Sequence, residues 1–444
     1  MKRFLKSLVF CFPITIVALV FLTAGSLQAG EPDWGKIPER KITAFKPGQA
    51  SWEFVVGAGH GTGAKAVQKG EERCLDCHKG EEAELVKNIL GPKKLDPEPV
   101  KGHTTKEVSL KAAYDNENIY VRLEWASAGT GIFPQDMFRY NGKEWELIVG
   151  ERPGTPVEDL TAEDRVNIMW DDGSVPGFKK YGCWLTCHND LVDMPNEIGD
   201  EIKNKNPYFV KKKKNIKEIT KYLLLTTTKS DATGGWMNIN GSDEELDKLK
   251  KEGKFIDLWH WKAGRSGPQG YAQDQHIFVD RASDKGKGPY TANWDKEKKQ
   301  PKFMFNKAKL GYNGFEWGDV IKIQTRKKNV PAYLLTTDTS VPFDPNAGWK
   351  KGDTLPGFTN DIPLEGGADI KAKGVWKDGK WTVVMTRKLN TGDALGDKVL
   401  KDGGVYTIGT SVHDDFVGGR WHYVSFPFDI GLGAKADYTA TKVQ

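Results

Sequence analysis

The chain has 444 residues, of which 38% are hydrophobic, 28% charged and 11% aromatic, with 49 Gly, 22 Pro, 15 Trp and a formal net charge of +5. This length allows two or three domains, or one large β unit with an appendage. The mean hydropathy of −0.56 excludes a polytopic membrane protein, and the apolar share excludes a disordered chain. Glycine and aromatic residues are plentiful and Leu-rich helical stretches few, which favours β structure with many turns.

Residues 1–29 carry Lys2, Arg3 and Lys6, an apolar run from Leu8 to about Gly25, and Ser26-Leu27-Gln28-Ala29 at the end. This is the pattern of a cleaved secretory signal peptide, with an uncleaved anchor as the alternative. Cys11 sits inside the apolar run and not at the cut, which gives no support to a lipid anchor. No later run reaches spanning length, so the mature protein is expected to be exported, periplasmic, and without stable membrane insertion. Removal of the leader lowers the net charge to +2, which leaves little ground for a nucleic-acid partner. Lys211-Lys212-Lys213-Lys214 reads as a solvated loop.

Residues 30–105 form an N-terminal segment rich in Gly, Pro, Lys and Glu, with one predicted helix over about Glu81–Leu90. From 106 to 444 the pattern changes to strands. Val108–Tyr114 and Ile119–Trp125 alternate about Asp115-Asn116-Glu117-Asn118 and read as a hairpin. Further short strands are predicted at Arg165–Trp170, Ile256–Lys262, His276–Asp280, Val320–Gln324, Ala332–Thr336 and Tyr406–His413. Asp378-Gly379 between Val375-Trp376-Lys377 and Lys380-Trp381 signals a second hairpin. Ser242-Asp243-Glu244-Glu245 has capping-box spacing before a helix to Lys251, and 281–302 reads as a long loop. The fold class is mainly β: an antiparallel β-sandwich preceded by a small segment with one short helix.

Four of the five cysteines lie in two clusters that each close with His. Cys74-Leu75-Asp76-Cys77-His78 is C-x-x-C-H, the c-type haem attachment pattern: two thiols add to the porphyrin vinyl groups and His78 is delivered to the iron. A disulfide and a zinc site are the competing readings. Cys183-Trp184-Leu185-Thr186-Cys187-His188 is one residue longer; covalent haem through Cys183, Cys187 and His188 is favoured over a disulfide, with or without a non-covalent haem. Electron-transfer haems need a second axial ligand. His60, in a Gly-rich stretch before Cys74, is favoured over His103 for the first. For the second, His260 in Leu258-Trp259-His260-Trp261-Lys262 is favoured over a buried core role. Strand alternation there sends His260 and Lys262 to one face and the tryptophans to the other. Met137 and Met194 are lesser candidates; His276, His413 and His422 read as structural or surface residues.

Several runs resemble the ethylbenzene dehydrogenase-related haem-binding domain of multihaem c-type cytochromes. They are Ala113–Trp125, Glu163–Trp170, Trp259-His260-Trp261-Lys262-Ala263-Gly264-Arg265, and Val412-His413-Asp414-Asp415 with Gly419-Arg420-Trp421-His422-Tyr423. The resemblance covers about 106–432. It implies a β-sandwich holding one haem, b-type with Met and Lys axial ligands in the electron-transferring subunits of periplasmic molybdenum enzymes. Here Tyr181-Gly182 and the Cys183 cluster stand where those subunits carry Met-Gly, which favours covalent haem and leaves Lys262 as a reserve ligand. The reading is an exported dihaem c-type cytochrome that carries electrons between redox partners, one of which could be a periplasmic molybdenum oxidoreductase. It holds two haem c groups, the second alternatively haem b. The alternatives are a haem enzyme with a five-coordinate iron acting on a small inorganic molecule, a b-type subunit of a molybdenum oxidoreductase, and a carbohydrate-type binding module. On the main reading the protein does no bond-making chemistry of its own.

Overall fold

Alternating apolar and polar residues build the main sheet. Its strands are β1 Arg40–Phe45, β2 Thr105–Tyr114, β3 Asn118–Ala126, β4 Arg165–Asp171, β5 Ile256–Lys262, β6 Gln273–Ile277, β7 Arg281–Ser283, β8 Lys371–Lys377, β9 Lys380–Lys388, β10 Val405–His413, β11 Tyr423–Val424, β12 Phe428–Leu432 and β13 Tyr438–Lys442. The computed structural model describes residues 31–47, 55, 60–69, 72–89, 104–149, 161–188, 222–226, 228–230, 236–238, 242–325, 327–414 and 422–444. The leader, His103, Met194 and Lys211–Lys214 lie outside them.

The strands run in the order β7-β6-β5-β4-β10-β11-β1-β2-β3-β9-β8, while β12 and β13 link β10 back to β2. Strands β10, β11, β1, β2, β13 and β12 therefore close a ring, from which two wings extend: β4 to β7 on one side, β3, β9 and β8 on the other. The Asp378-Gly379 hairpin forms as predicted, with φ of 52° and 75° at its two central residues, the left-handed pair that a type I′ turn requires. β1 comes from the N-terminal segment yet pairs with β2 from Arg40↔Leu110 to Phe45↔Thr105, so that segment supplies a strand of the ring.

The wings fold over one another around indoles. Trp125 of β3, Trp381 of β9 and Trp261 of β5 are buried in one core, with ring centres 6.5 Å apart for Trp125–Trp261 and 5.1 Å for Trp261–Trp381. Each such ring removes roughly 150–250 Å² from water, about 4–6 kcal/mol of transfer free energy at ~25 cal/mol/Å². Gly374 of β8 makes the approach possible, since a Cβ there would lie 2.1 Å from Trp261 Cζ2.

Some local readings are corrected. Val320–Gln324 is the end of a helix, Trp317–Gln324; Val320 and Ile323, three apart, are both buried, so the helical spacing prevails over the alternation of the short run. Ala332–Thr336 forms no strand, only an isolated bridge at Leu335↔Asn360. The strand expected at His276–Asp280 is instead β6, Gln273–Ile277, displaced toward the N-terminus. The predicted loop 281–302 contains β7 and short ladders at Gly286–Lys287 and Tyr290–Ala292. The helix after the first Cys cluster spans Glu82–Ile89, and two further helices, Thr62–Lys69 and Cys74–His78, precede it. The Asp243–Lys251 helix carries its capping box at Ser242 and Glu245.

Replacing Gly374 with alanine is expected to destabilise the protein by about 1–3 kcal/mol through overpacking on Trp261. Denaturant unfolding followed by Trp fluorescence measures this, and an unchanged midpoint would contradict the close wing-to-wing contact.

Candidate functional site

Helices α1 Thr62–Lys69, α2 Cys74–His78, α3 Glu82–Ile89 and α4 Phe178–His188 gather on the outer side of the sheet. The C-x-x-C-H run is α2 itself. Asp76 accepts from the Arg73 amide at 2.9 Å, closing the helix start, and the Arg73 guanidinium reaches Asp437 at 2.5 Å. That ion pair ties the attachment helix to the edge of β13. Cys74 is buried and Cys77 exposed; burial pushes the Cys74 thiol up to about 12, which holds it protonated and slow to oxidise.

The structure brings His60 to His78. Their ring centres are 6.1 Å apart with planes 25° from parallel. His78 Nδ1 meets a Glu81 carboxylate oxygen at 3.0 Å, and His60 Nδ1 meets the Val55 carbonyl at 2.8 Å. Such Nδ1 contacts orient an imidazole so that Nε2 is its ligating atom. With metal–imidazole bonds of about 2.0–2.1 Å, two imidazoles sharing one metal on one axis place their ring centres roughly 6 Å apart. The donor set and spacing therefore fit a six-coordinate haem iron. Gly63 matters here, because a Cβ on it would lie 2.7 Å from His60 Nε2 and Cε1.

The longer Cys cluster is accommodated by helix geometry. α4 is broken at Gly182, whose φ of 55° and ψ of −144° are non-helical, and a Cβ there would collide with Pro427 at 2.8 Å. Helical structure resumes at Cys183, supported by the Thr186 hydroxyl donating to the Gly182 carbonyl at 2.8 Å. Cys183 and Cys187 are then i and i+4, neighbours on one helix face just as Cys74 and Cys77 are i and i+3. No bulge is needed to bring the thiols together, and they are hydrogen-bonded to each other. The His188 backbone ends α4; its side chain lies outside the described residues. Cys74, Cys183, Trp184 and Phe426 belong to a single apolar cluster with Phe45 of β1, so α2 and α4 pack on the same wall.

On the outer face of the sheet, His260 of β5 lies opposite Asn167 of β4 and Gln273 of β6, while Trp259 and Trp261 point into the opposite core. The alternation read from the sequence holds. His260 Nδ1 lies 3.2 Å from Gln275 Oε1, and its Nε2 is buried without a partner. Burial, then Lys262, Arg281 and Arg165, hold its pKa well down, so the imidazole is neutral, the form that binds metals.

Sequence reasoning missed His413. Its ring centre is 6.2 Å from that of His260, with planes 32° apart; its Nδ1 is also buried and unpartnered, and His422 stacks on it at 4.1 Å. A signal was present: the alternation of β10 puts Gly409, Ser411 and His413 on one face, away from Ile408 and Val412 in the inner core. Gly409 is also where α4 lands, since a Cβ there would meet Cys183 Cβ at 3.2 Å. Lys262 Nζ donates to Tyr290 at 2.7 Å and to Gln273. His276 is bound to Asp284 at 2.5 Å and Lys250 at 2.8 Å, a structural role. Met137 packs in a separate apolar cluster with Phe138 and Leu355 that contains neither Cys183 nor His260.

The model of the family described as ethylbenzene dehydrogenase matches residues 31–425. The chain belongs to that family. It is 25% identical over 429 residues to cytochrome c-552 of Stutzerimonas stutzeri, covering 96% of this chain and 95% of the relative. It is 31% identical over 178 residues to cytochrome c-551 of Rhodocyclus tenuis, covering 39% of this chain and 61% of that protein. A solved structure of a carbohydrate-binding protein from Bacteroides uniformis overlaps 80% of this chain and 85% of its own at 9% identity, but the TM-score of 0.20 carries no structural likeness. Among the described residues no helix is long and apolar enough to cross a membrane.

Gly63→Ala separates helix propensity from site geometry. In α1 the substitution should add up to about 0.5–1 kcal/mol of helix stability, yet its Cβ displaces the His60 ring. The expected outcome is unchanged or higher melting temperature together with a high-spin fraction in the visible spectrum at the first centre; a wholly low-spin spectrum would show that His60 is not held as described.

Proposed function

We propose that this chain is an exported dihaem c-type cytochrome that passes single electrons between redox partner proteins. The observation that carries the reading is the pairing of His60 with His78 at 6.1 Å beside Cys74 and Cys77, joined through one apolar cluster to the second Cys pair. When bound, each haem supplies an iron that cycles between Fe(III) and Fe(II). The protein's part is to hold and shield. Cys74 and Cys77 would anchor the first haem, and His78 and His60 would hold its iron. Glu81 and the Val55 carbonyl fix the two ring orientations. Cys183 and Cys187 would anchor the second haem, with His188 and His260 holding its iron. Trp184, Phe45 and Phe426, in edge contact at 6.0 and 6.3 Å, exclude water between the attachment helices.

The leader pattern at 1–29 and the attachment motifs support an exported, periplasmic location, where the redox partners would include a periplasmic molybdenum oxidoreductase. A second reading is favoured by one observation: His260 and His413 are spaced at 6.2 Å, as His60 and His78 are, so these two could bracket the second iron themselves, without His188.

Intact mass under denaturing conditions, with a pyridine haemochrome assay, should give the chain from about Gly30 plus two covalent haems. One covalent haem with an extractable b-type group would overturn the second attachment. His260→Ala should make the second haem high-spin and able to bind carbon monoxide while leaving the first unchanged. The same change on His413→Ala with none on His188→Ala would select the His260–His413 reading. Carbon monoxide binding by the unmodified reduced protein would favour the enzyme alternative.

A further inference from the structure

Apart from the candidate haem centres, a dense concentration of buried charge lies on the other face of β5. Asp257 of β5, Asp274 of β6 and Asp397 in the connection after β9 are all buried, with carboxylate oxygens that lie within 4.8 Å of one another. One cation joins two of them. Arg387 donates through Nη1 to Asp257 at 2.5 Å and to Asp397 at 2.6 Å, and through Nη2 to the Lys398 carbonyl at 2.7 Å, with its guanidinium 4.8 Å from the centre of the Trp259 ring. Three carboxylates against one guanidinium leave two formal negative charges among buried side chains.

Neighbouring cations do not balance them. Lys398 Nζ is turned to Asp172 at 2.7 Å, Ser174 at 2.6 Å and the Gly253 carbonyl at 2.7 Å, and His276 is bound to Asp284. Both carboxylate oxygens of Asp274 are buried with no hydrogen-bond partner, as is Asp257 Oδ1. A buried carboxylate without partners costs several kcal/mol, and its oxygens are satisfied in folded proteins by a donor or a metal. Burial and then Asp397 and Asp257 push the Asp274 carboxyl well above its usual range, and burial pushes Asp257 up to about 7.

We propose that Asp257, Asp274 and Asp397 bind a calcium ion. The three donors are all carboxylate oxygen, which selects a hard cation over zinc or copper. Calcium–oxygen bonds of about 2.3–2.6 Å span roughly the separation of these oxygens, and water can fill the remaining positions. The charge left over by Arg387 is that of one divalent ion. Such an ion joins β5 and β6 of one wing to the chain that leaves β9 of the other, so it clamps the sandwich at the end away from the ring. The inference does not depend on the haem reading.

The test uses the full-length mature holoprotein. Elemental analysis after dialysis against metal-free buffer should find one calcium per chain, and the melting temperature should fall with a chelator and recover with calcium. Terbium, a calcium surrogate, should show indole-sensitised emission from Trp259 that calcium displaces. Asp274→Asn, and independently Asp397→Asn, should weaken that binding roughly tenfold or more, since loss of even an outer-shell partner of a metal site costs about 10–100-fold. A wild-type protein that retains no calcium, melts identically in chelator and gives no displaceable terbium emission would overturn the proposal. The cluster would then be a proton-sharing carboxyl network, and Asp274→Asn would raise the melting temperature.

Discussion

In the seven residues of β5, two environments that cannot be exchanged are held about 3.3 Å apart along one strand. Trp259 and Trp261 are buried in the core between the wings, while His260 and Lys262 face the side on which the attachment helices lie. A slip of one residue would put an imidazole and an amine among indoles and turn two indoles toward the polar face. Register is therefore set by the cost of both errors at once. It is fixed on both edges, by Asn167↔His260 on β4 and Gln273↔His260 on β6, and by the lack of a side chain at Gly374, against which Trp261 lies. Whatever occupies the outer face is thus positioned by packing on the inner face.

The polar face is itself costly to bury, and the cost is met by pairing. Glu163 accepts from Arg265 and from the Gly264 amide at 2.8 Å and lies 3.6 Å from Arg165. Although burial opposes it, these cations hold its carboxyl below the usual range. The Arg265 guanidinium also lies 4.9 Å from the Tyr290 ring centre and 4.7 Å from that of Phe358. Burial first, and then the positive charge of Lys262, Arg281 and Arg165, keeps the His260 ring neutral. Such a network contributes little net stability compared with an apolar core, but it fixes side-chain directions before a ligand arrives. That is consistent with a centre that must not rearrange as charge comes and goes.

The parts of this arrangement legible in the sequence are those with local causes. The C-x-x-C-H run, the capping box at Ser242 and the Asp378-Gly379 turn depend on residues a few positions apart, and each is found where the pattern puts it. Alternation likewise gave the two faces of β5. What depends on tertiary neighbours was not legible. Alternation within β10 assigns His413 a face, but the residue comes beside His260 only because β4 pairs with both β5 and β10. β1 was read as part of a separate segment because its six residues sit among Gly, Pro and Lys, although its partner begins sixty residues later. Val320–Gln324 shows the opposite failure, a short apolar alternation compatible with either period and decided by burial of Val320 with Ile323.

The two Cys-bearing helices, α2 and α4, differ by one residue in thiol spacing, yet they meet the same physical requirement. Cys74 and Cys77 lie one short turn apart and Cys183 and Cys187 one long turn apart, and on a helix both separations bring side chains to neighbouring positions. Each helix is also held at its start by something outside itself: Arg73 to Asp437 at the edge of β13 for one, Gly182 against Pro427 for the other. β13 and β11 both belong to the closed ring, and Phe45 and Val424 of that ring line the cluster shared by Cys74 and Cys183. A closed ring has no free edge along which strands can shift. The distance between the two Cys pairs is therefore set by the ring on which both helices pack, and on the proposed reading that fixed separation across an apolar wall is the condition that passage of an electron between two centres imposes on a protein.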